Sequence, residues 1–115
     1  MSLDELLVGL RKDCGSIASA VVSRDGLVVA ADLPPDVSKE TFSIMCAAIM
    51  GAGMTATTEL GKSSPTRISL ESDDIRIVIY TAGRRSMLVI VLSPSVHIDA
   101  VDKSAKIIAE QVAKG

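Results

Sequence analysis

Residues 17–30 read Ile-Ala-Ser-Ala-Val-Val-Ser-Arg-Asp-Gly-Leu-Val-Val-Ala, and this stretch decides much of the fold. Two runs rich in aliphatic residues flank the dipeptide Asp25-Gly26. An Asp-Gly pair between such runs is a strong hairpin signal, because both turn residues tolerate a positive φ angle. We therefore predict two antiparallel strands, 17–23 and 27–31, joined by a tight turn.

The sequence on either side of this hairpin predicts three helices and three further strands. Ser2 and Glu5 form a capping-box pattern ahead of leucines at helical spacing, so the first helix is expected over 2–13. Consecutive strands with short turns should pair antiparallel. The predicted order is α-β-β-α-β-β-β-α in one α/β (α+β) domain over 1–115, with later helices at 38–60 and 96–113 and later strands at 66–71, 75–82 and 87–93.

The patterns of two strands indicate how the sheet is covered. Residues 87–92 are apolar at every position, which is typical of a central strand buried on both faces in a three-layer sandwich. Residues 67–71 alternate between polar and apolar side chains, as a half-buried edge strand does.

Composition excludes several classes of function. The chain has 115 residues, a formal net charge of −2 and only two aromatic residues, Phe42 and Tyr80. Base-stacking platforms need more aromatic faces and duplex binders need a basic footprint, so we expect no nucleic-acid partner. The single His97 and the cysteines Cys14 and Cys46 form no zinc motif and no disulfide framework. With charged residues at positions 4, 5 and 11–13 and no secretion signal, a cytoplasmic location is expected.

The middle helix is unusual because residues 41–58 carry no charge. A membrane span needs about 20 predominantly apolar residues. Here four Thr, one Ser and two Gly interrupt the run, so we expect no membrane insertion.

A helical wheel divides this helix into two apolar faces. We expect the larger face to pack on the sheet, and the smaller, opposite face to be a self-association surface, since an outer face is otherwise charged. The alternative is that Gly51 and Gly53 mark a kink or two shorter helices covered by the chain's own loops. The expected sheet face holds Phe42, Met45, Ile49, Ala52, Ala56 and Leu60, and the expected outer face holds Ile44, Ala47, Gly51, Met54 and Thr58.

These features together resemble the Roadblock/dynein light chain family. The resemblance rests on the leading helix 3–10, the strand, Asp-Gly-Leu, strand stretch of 17–30, the Ala-, Met- and Gly-rich central helix, and the late strands 75–80 and 87–92 before a closing helix. It covers essentially the whole chain. It implies a profilin-like three-layer sandwich with a five-stranded antiparallel sheet between one helix and two.

The same resemblance implies a non-enzymatic role. Members of the family regulate or scaffold Ras-like small GTPases, and in gliding bacteria a Roadblock dimer stimulates GTP hydrolysis on its partner. They typically dimerise through the central helix and the third strand, which here adds Thr66, Ile68 and Leu70 to the expected interface. The expected partners are therefore a second copy of the chain and a Ras-like small GTPase, and the role is modulation of its GTP hydrolysis or localisation.

No residue pattern indicates catalysis, a cofactor site or a metal site. His97 is expected to be a surface residue at a helix start, and Asp73-Asp74 a solvated turn. The triplet Gly61-Lys62-Ser63 lacks the earlier glycine of a phosphate-binding loop and follows a helix, so we interpret Gly61 as a helix cap.

Arg84 and Arg85 at a predicted hairpin tip are candidate partner contacts. They are interpreted first as a solvated turn, and otherwise as a contact to an acidic patch or as a group that assists GTP hydrolysis. Two alternative functions stay open: a scaffold without effect on a GTPase, and a sensor of a small ligand. A large cavity near Tyr80 or Phe42 would favour the sensor.

Overall fold

The computed structural model describes residues 2–114, which form three helices and five strands in the predicted order. The observed ends differ from the predicted ends by at most two residues. The helices are α1 (Leu3–Cys14), α2 (Lys39–Glu59) and α3 (Ile98–Lys114), and the strands are β1 (Ala18–Ser23), β2 (Val28–Asp32), β3 (Arg67–Glu71), β4 (Arg76–Ala82) and β5 (Ser86–Leu92).

The five strands form one antiparallel sheet in the order β2-β1-β5-β4-β3. The prediction that β5 is central is confirmed, since it lies between β1 and β4 and is buried from Met87 to Leu92. Strand β3 lies at the edge, also as predicted, and pairs with β4 alone among the described strands.

Helices cover both faces of the sheet, as predicted. Fifteen buried residues form the core between the sheet and the pair α1 and α3. Seven form the core beneath α2. Helix α2 buries little of its surface, since only Ser43, Cys46 and Met50 of its 21 residues are buried.

The helix ends follow the predicted capping chemistry. Ser2 and Glu5 form the capping box of α1, and Gly15 ends that helix with a φ of 67°. Gly61 has a φ of 70° just after α2, where the Lys62 backbone N–H donates to the Thr57 carbonyl at 2.9 Å. Because α2 is one continuous helix, the alternative of two shorter helices at Gly51 and Gly53 is wrong.

The β1–β2 connection contains a bulge that the sequence pattern did not predict. Val21 pairs with Ala30 and Val22 pairs with Val28, so Val29 is the extra residue between them. Gly26, with a φ of 92°, closes the turn and lies beneath α2, where a Cβ atom would be 3.2 Å from the Ile44 Cα. The turn therefore favours glycine for both conformation and space.

Candidate interaction surfaces

The outer face of α2 is exposed and uncharged. Ile44 and Met45 are 51% and 52% exposed, although both are large and apolar. By length and composition alone α2 could cross a membrane. Here it lies on the sheet through Cys46 and Met50, which are almost fully buried. The exposed positions that accompany Ile44 and Met45 are Ala48, Gly51, Ala52, Thr55, Ala56 and Thr58.

The two faces predicted for α2 are partly wrong. Phe42 and Ile49 pack on the sheet as expected. Four residues expected on the sheet face are exposed instead: Met45, Ala52, Ala56 and Leu60. The reason is that α2 is apolar on nearly all sides, so its pattern does not identify the inner face.

Two residues expected on the outer face, Ala47 and Met54, also differ from the prediction. They pack partly against the core beneath α2. The helix is rotated so that Ser43, Cys46 and Met50 face the sheet. Of the predicted outer positions, Ile44, Gly51 and Thr58 are exposed.

The two glycines of α2 lie in different surroundings. A Cβ atom on Gly53 would come within 2.6 Å of the Ile68 Cδ1 atom, so Gly53 lets α2 approach β3. A Cβ atom on Gly51 would have no neighbour within 4 Å. Glycine in a helix costs about 1 kcal/mol relative to alanine, and no contact among the described residues compensates at Gly51.

The edge strand β3 adds a second apolar feature beside α2. Leu70 is 40% exposed and Thr66 is exposed, whereas Ile68 packs partly into the core beneath α2. The backbone of β3 pairs with β4 on one side only, which leaves its outer hydrogen-bonding edge without a strand among residues 2–114. An unpaired edge is a template for another strand.

Three arginines lie at one end of the sheet. Because Ser23 pairs with Ser86, the β1–β2 and β4–β5 turns are neighbours, and this brings Arg24 near Arg84 and Arg85. The Arg24 Nη1 atom lies 2.7 Å from the Met54 sulfur, and its Nη2 atom donates to the Gly83 carbonyl at 3.3 Å. The role of Arg24 was not predicted, although the hairpin pattern itself places it in the turn.

The strongest charged network links the sheet to α3. Asp102 accepts a hydrogen bond from the Tyr80 hydroxyl at 2.8 Å and pairs with Arg67 at 2.9 Å and Lys106 at 3.0 Å. The Tyr80 hydrogen bond, followed by those from Lys106 and Arg67, lowers the pKa of Asp102 to about 2. Burial, and then the bond to Asp102, raise the pKa of Tyr80 above its usual value. This network holds β3 and β4 against α3.

The cysteines and histidine form no site within residues 2–114. Cys14 and Cys46 are free thiols, and burial raises the pKa of Cys46 to about 11. No three metal-ligating side chains gather there either. His97 is exposed just before α3, and Asp73-Asp74 is an exposed turn capped by Ser72, as the sequence predicted.

A groove of about 520 Å³ lies beside Tyr80, between α3 and the β3–β4 pair. Its walls include Arg67, Lys106 and Glu110. Tyr80 is itself buried and bonded to Asp102. The groove lies where the sensor alternative places a cavity, although its charged walls differ from the mainly apolar lining that is usual for ligand pockets.

The sequence matches the family model described as the Roadblock/LC7 domain over residues 3–92. It is also similar to an uncharacterized protein of Methanocaldococcus jannaschii, with 29% identity over 110 residues and 96% of each chain covered. That relative has almost the same length and no stated activity.

Solved structures agree with the fold. A Roadblock/LC7 domain from Streptomyces avermitilis has a TM-score of 0.90 at 20% identity, covering 99% of this chain and 97% of that one. Myxococcus xanthus MglB has a TM-score of 0.89 at 14% identity, covering 96% and 84%. An MglB in a tetrameric arrangement has a TM-score of 0.87 at 20% identity, with the same coverage. With a family model that spans most of the sequence and a three-layer sandwich that agrees with it, the chain belongs to the Roadblock/LC7 domain family.

Proposed function

We propose that this protein is a homodimer that binds a Ras-like small GTPase and modulates its GTP hydrolysis or its localisation. The observation that carries the proposal is the uncharged outer face of α2 beside the unpaired edge of β3. Covering both features with a second copy would lower the free energy. Apolar side chains of α2 would leave water, and the unpaired backbone groups of β3 would form hydrogen bonds.

Self-association about a two-fold axis would use both features at once. Two α2 helices approach closely where their contact residues are small, and Gly51 has open space above it. Two β3 strands pair edge to edge and extend the sheet across the axis. The exposed side chains of Ile44 and Leu70 would then become buried. The tetrameric arrangement of one MglB supports assembly as a property of this fold.

A small GTPase is proposed as the partner because of the family resemblance and because of the surface that a dimer offers. A specific protein contact buries about 1,600 Å² in total, and a dimer offers a larger continuous surface for it than one 12.0 kDa protomer. The proposal includes a cytoplasmic location, consistent with two free thiols. The role is binding rather than catalysis, and α2 is used for assembly rather than for membrane insertion.

The test combines oligomeric state with capture of the partner. Sedimentation gives the mass of the wild type, of Ile44→Glu and of Ile107→Glu, a matched control in α3 that is 49% exposed. Each tagged protein is then incubated with lysate of its own cells loaded with a GTP analogue or with GDP. We expect a wild-type and control dimer, a monomeric Ile44→Glu, and recovery of a small GTPase in one nucleotide state by the dimers.

Two results would contradict the proposal. A wild-type monomer at micromolar concentration would remove the dimer, and recovery of no GTPase under either loading would remove the partner. Where a GTPase is recovered, its hydrolysis rate with and without this protein separates a regulator from a scaffold that has no effect on hydrolysis.

A further inference from the structure

A second groove lies on the other side of the sheet from α2. It has a volume of about 860 Å³ and is bounded by the start of α1, the end of α3 and the β4–β5 turn. Its lining is mainly aliphatic, with two cations at the rim. The residues that matter here are Leu3, Leu6, Val29, Val112, Arg84 and Arg85.

The bulge between β1 and β2 supplies part of this apolar lining. Val29 is the extra residue of the bulge, and it is 53% exposed although it belongs to a strand. A bulge re-aims the side chain that it carries. Here it adds Val29 to the same groove as Leu3 and Leu6, which are only partly buried.

The rim has a positive charge that the surrounding residues do not neutralise. Arg84 and Arg85 are exposed, and neither forms an ion pair within residues 2–114. No acidic side chain of the described residues lines the groove. The end of α3 contributes a partial negative charge of about half a unit, which is less than the two full charges of the arginines.

We propose that this groove binds a short acidic and apolar segment of another protein. Its aliphatic side chains would lie between α1 and α3, and its carboxylates would pair with Arg84 and Arg85. The groove is neither an enclosed cavity nor a flat surface, so a chain segment can lie in it and continue beyond its ends. An open groove with an apolar floor and a charged rim is suited to a peptide segment.

This site is separate from the surface proposed for self-association. The groove lies on the face of the sheet covered by α1 and α3, and α2 covers the opposite face. A homodimer built through α2 and β3 would therefore leave one such groove free on each protomer. The inference holds whether or not the partner is a GTPase.

The test uses a fluorescein-labelled peptide amide that repeats Leu-Glu-Glu-Leu, with fluorescence anisotropy as the measurement. Two control peptides replace Glu by Lys or Leu by Ser. The variant is Arg84→Ala/Arg85→Ala, and the matched control Lys12→Ala/Lys103→Ala removes two exposed cations at the far ends of α1 and α3. Thermal unfolding and sedimentation are recorded for each protein.

We expect the Leu-Glu peptide to bind and both control peptides to bind more weakly. The arginine variant should lose about fivefold to tenfold in affinity, and the lysine control less than about twofold. Equal binding of the Leu-Lys peptide, or an equal loss in both variants, would overturn the proposal. Two further results would overturn it. If decanoate binds and the peptide cannot displace it, the occupant is a small amphiphile. If the arginine variant changes its oligomeric state, the occupant is a second copy of the chain.

Discussion

Gly53 of α2 and Ile68 of β3 are in such close contact that a Cβ atom on the glycine would lie 2.6 Å from the Ile68 Cδ1 atom. The glycine leaves room for the end of the Ile68 side chain, which packs partly into the core beneath α2. Gly51, two residues earlier, has no comparable contact, and this difference leads to the first prediction.

Replacing Gly51 by Ala should have opposite effects in a monomer and in a dimer, so it distinguishes the two. In a monomer, the change should raise the free energy of unfolding by about 1 kcal/mol, because alanine favours the helix and the added methyl group meets nothing. In the proposed dimer, the methyl group lies between two close helices and should weaken association by roughly 1–3 kcal/mol. We expect the second result, measured by sedimentation at several concentrations.

Gly9→Ala is the matched control for this experiment. Gly9 is also a helical glycine with no atom within 4 Å of an added Cβ, but it belongs to α1. It should stabilise the protein without changing its mass in solution. If Gly51→Ala behaves in the same way as Gly9→Ala, α2 does not form the dimer contact.

A charged residue on the edge strand β3 should also prevent the proposed self-association. Leu70→Glu adds one negative charge from each copy to the proposed two-fold β3 seam, and like charges close together across a strand pair are destabilising. Since Leu70 is already 40% exposed and β3 keeps its pairing with β4, the monomer should stay folded. Light scattering should show a monomer for Leu70→Glu and a dimer for Ile107→Glu, and dimers for both would exclude β3 from the seam.

The network around Asp102 predicts a loss of stability in acid. The pKa of Asp102 is about 2 in the folded protein against an ordinary value of 3.8. A lowered pKa means that the ionised carboxylate stabilises the fold above about pH 4, and that this contribution is lost as the pH falls from about 4 to about 2. Asp102→Asn should cost about 1–2 kcal/mol at pH 7.

Denaturant unfolding of Asp102→Asn at several pH values checks this prediction. The difference between wild type and Asp102→Asn should shrink between pH 4 and pH 2. Asp73→Asn, in an exposed turn, is the matched control and should follow the wild type. A difference that is the same at pH 7 and at pH 2 would mean that the carboxylate charge contributes nothing.

Cys46 should be inert in the folded protein. It is buried beneath α2, and with a pKa of about 11 only about one thiol in a thousand is ionised at pH 8. In a Cys14→Ser variant, a thiol reagent should therefore label Cys46 only as fast as the protein unfolds. Cys46→Ser, which keeps the less buried Cys14, should be labelled faster. Rapid labelling of Cys46 in the folded protein would show instead that α2 moves away from the sheet without global unfolding.

The helices and strands of this fold could be predicted from residues that are neighbours in sequence. The Asp25-Gly26 turn, the Ser2 and Glu5 capping box and the all-apolar strand at 87–92 each depend on neighbours in sequence, and the structure confirms all three. Which face of α2 packs on the sheet could not be predicted in this way. Met45 was expected on the sheet and Met54 outside, and the structure reverses both because other elements select the buried face.

The candidate sites show the same division. The uncharged run from 41 to 58 predicted an uncharged outer face on α2, and the structure exposes such a face. That a second copy covers it stays a prediction. The sequence indicated Arg84 and Arg85 as candidate contacts, but it did not indicate the groove beside them, because the other walls come from α1, α3 and a bulge that are far apart along the chain.

By itself, the sequence determined the order of the elements, their ends, and the central and edge strands, because turn chemistry, capping and periodicity act over a few residues. The family followed from the resemblance of the whole sequence to known members. Only the tertiary structure decided which face of α2 meets the sheet, that Gly53 serves an internal contact while Gly51 does not, and that Arg24, Arg84 and Arg85 share one end of the sheet. These depend on packing between distant segments, which an apolar pattern on all sides of a helix leaves undetermined.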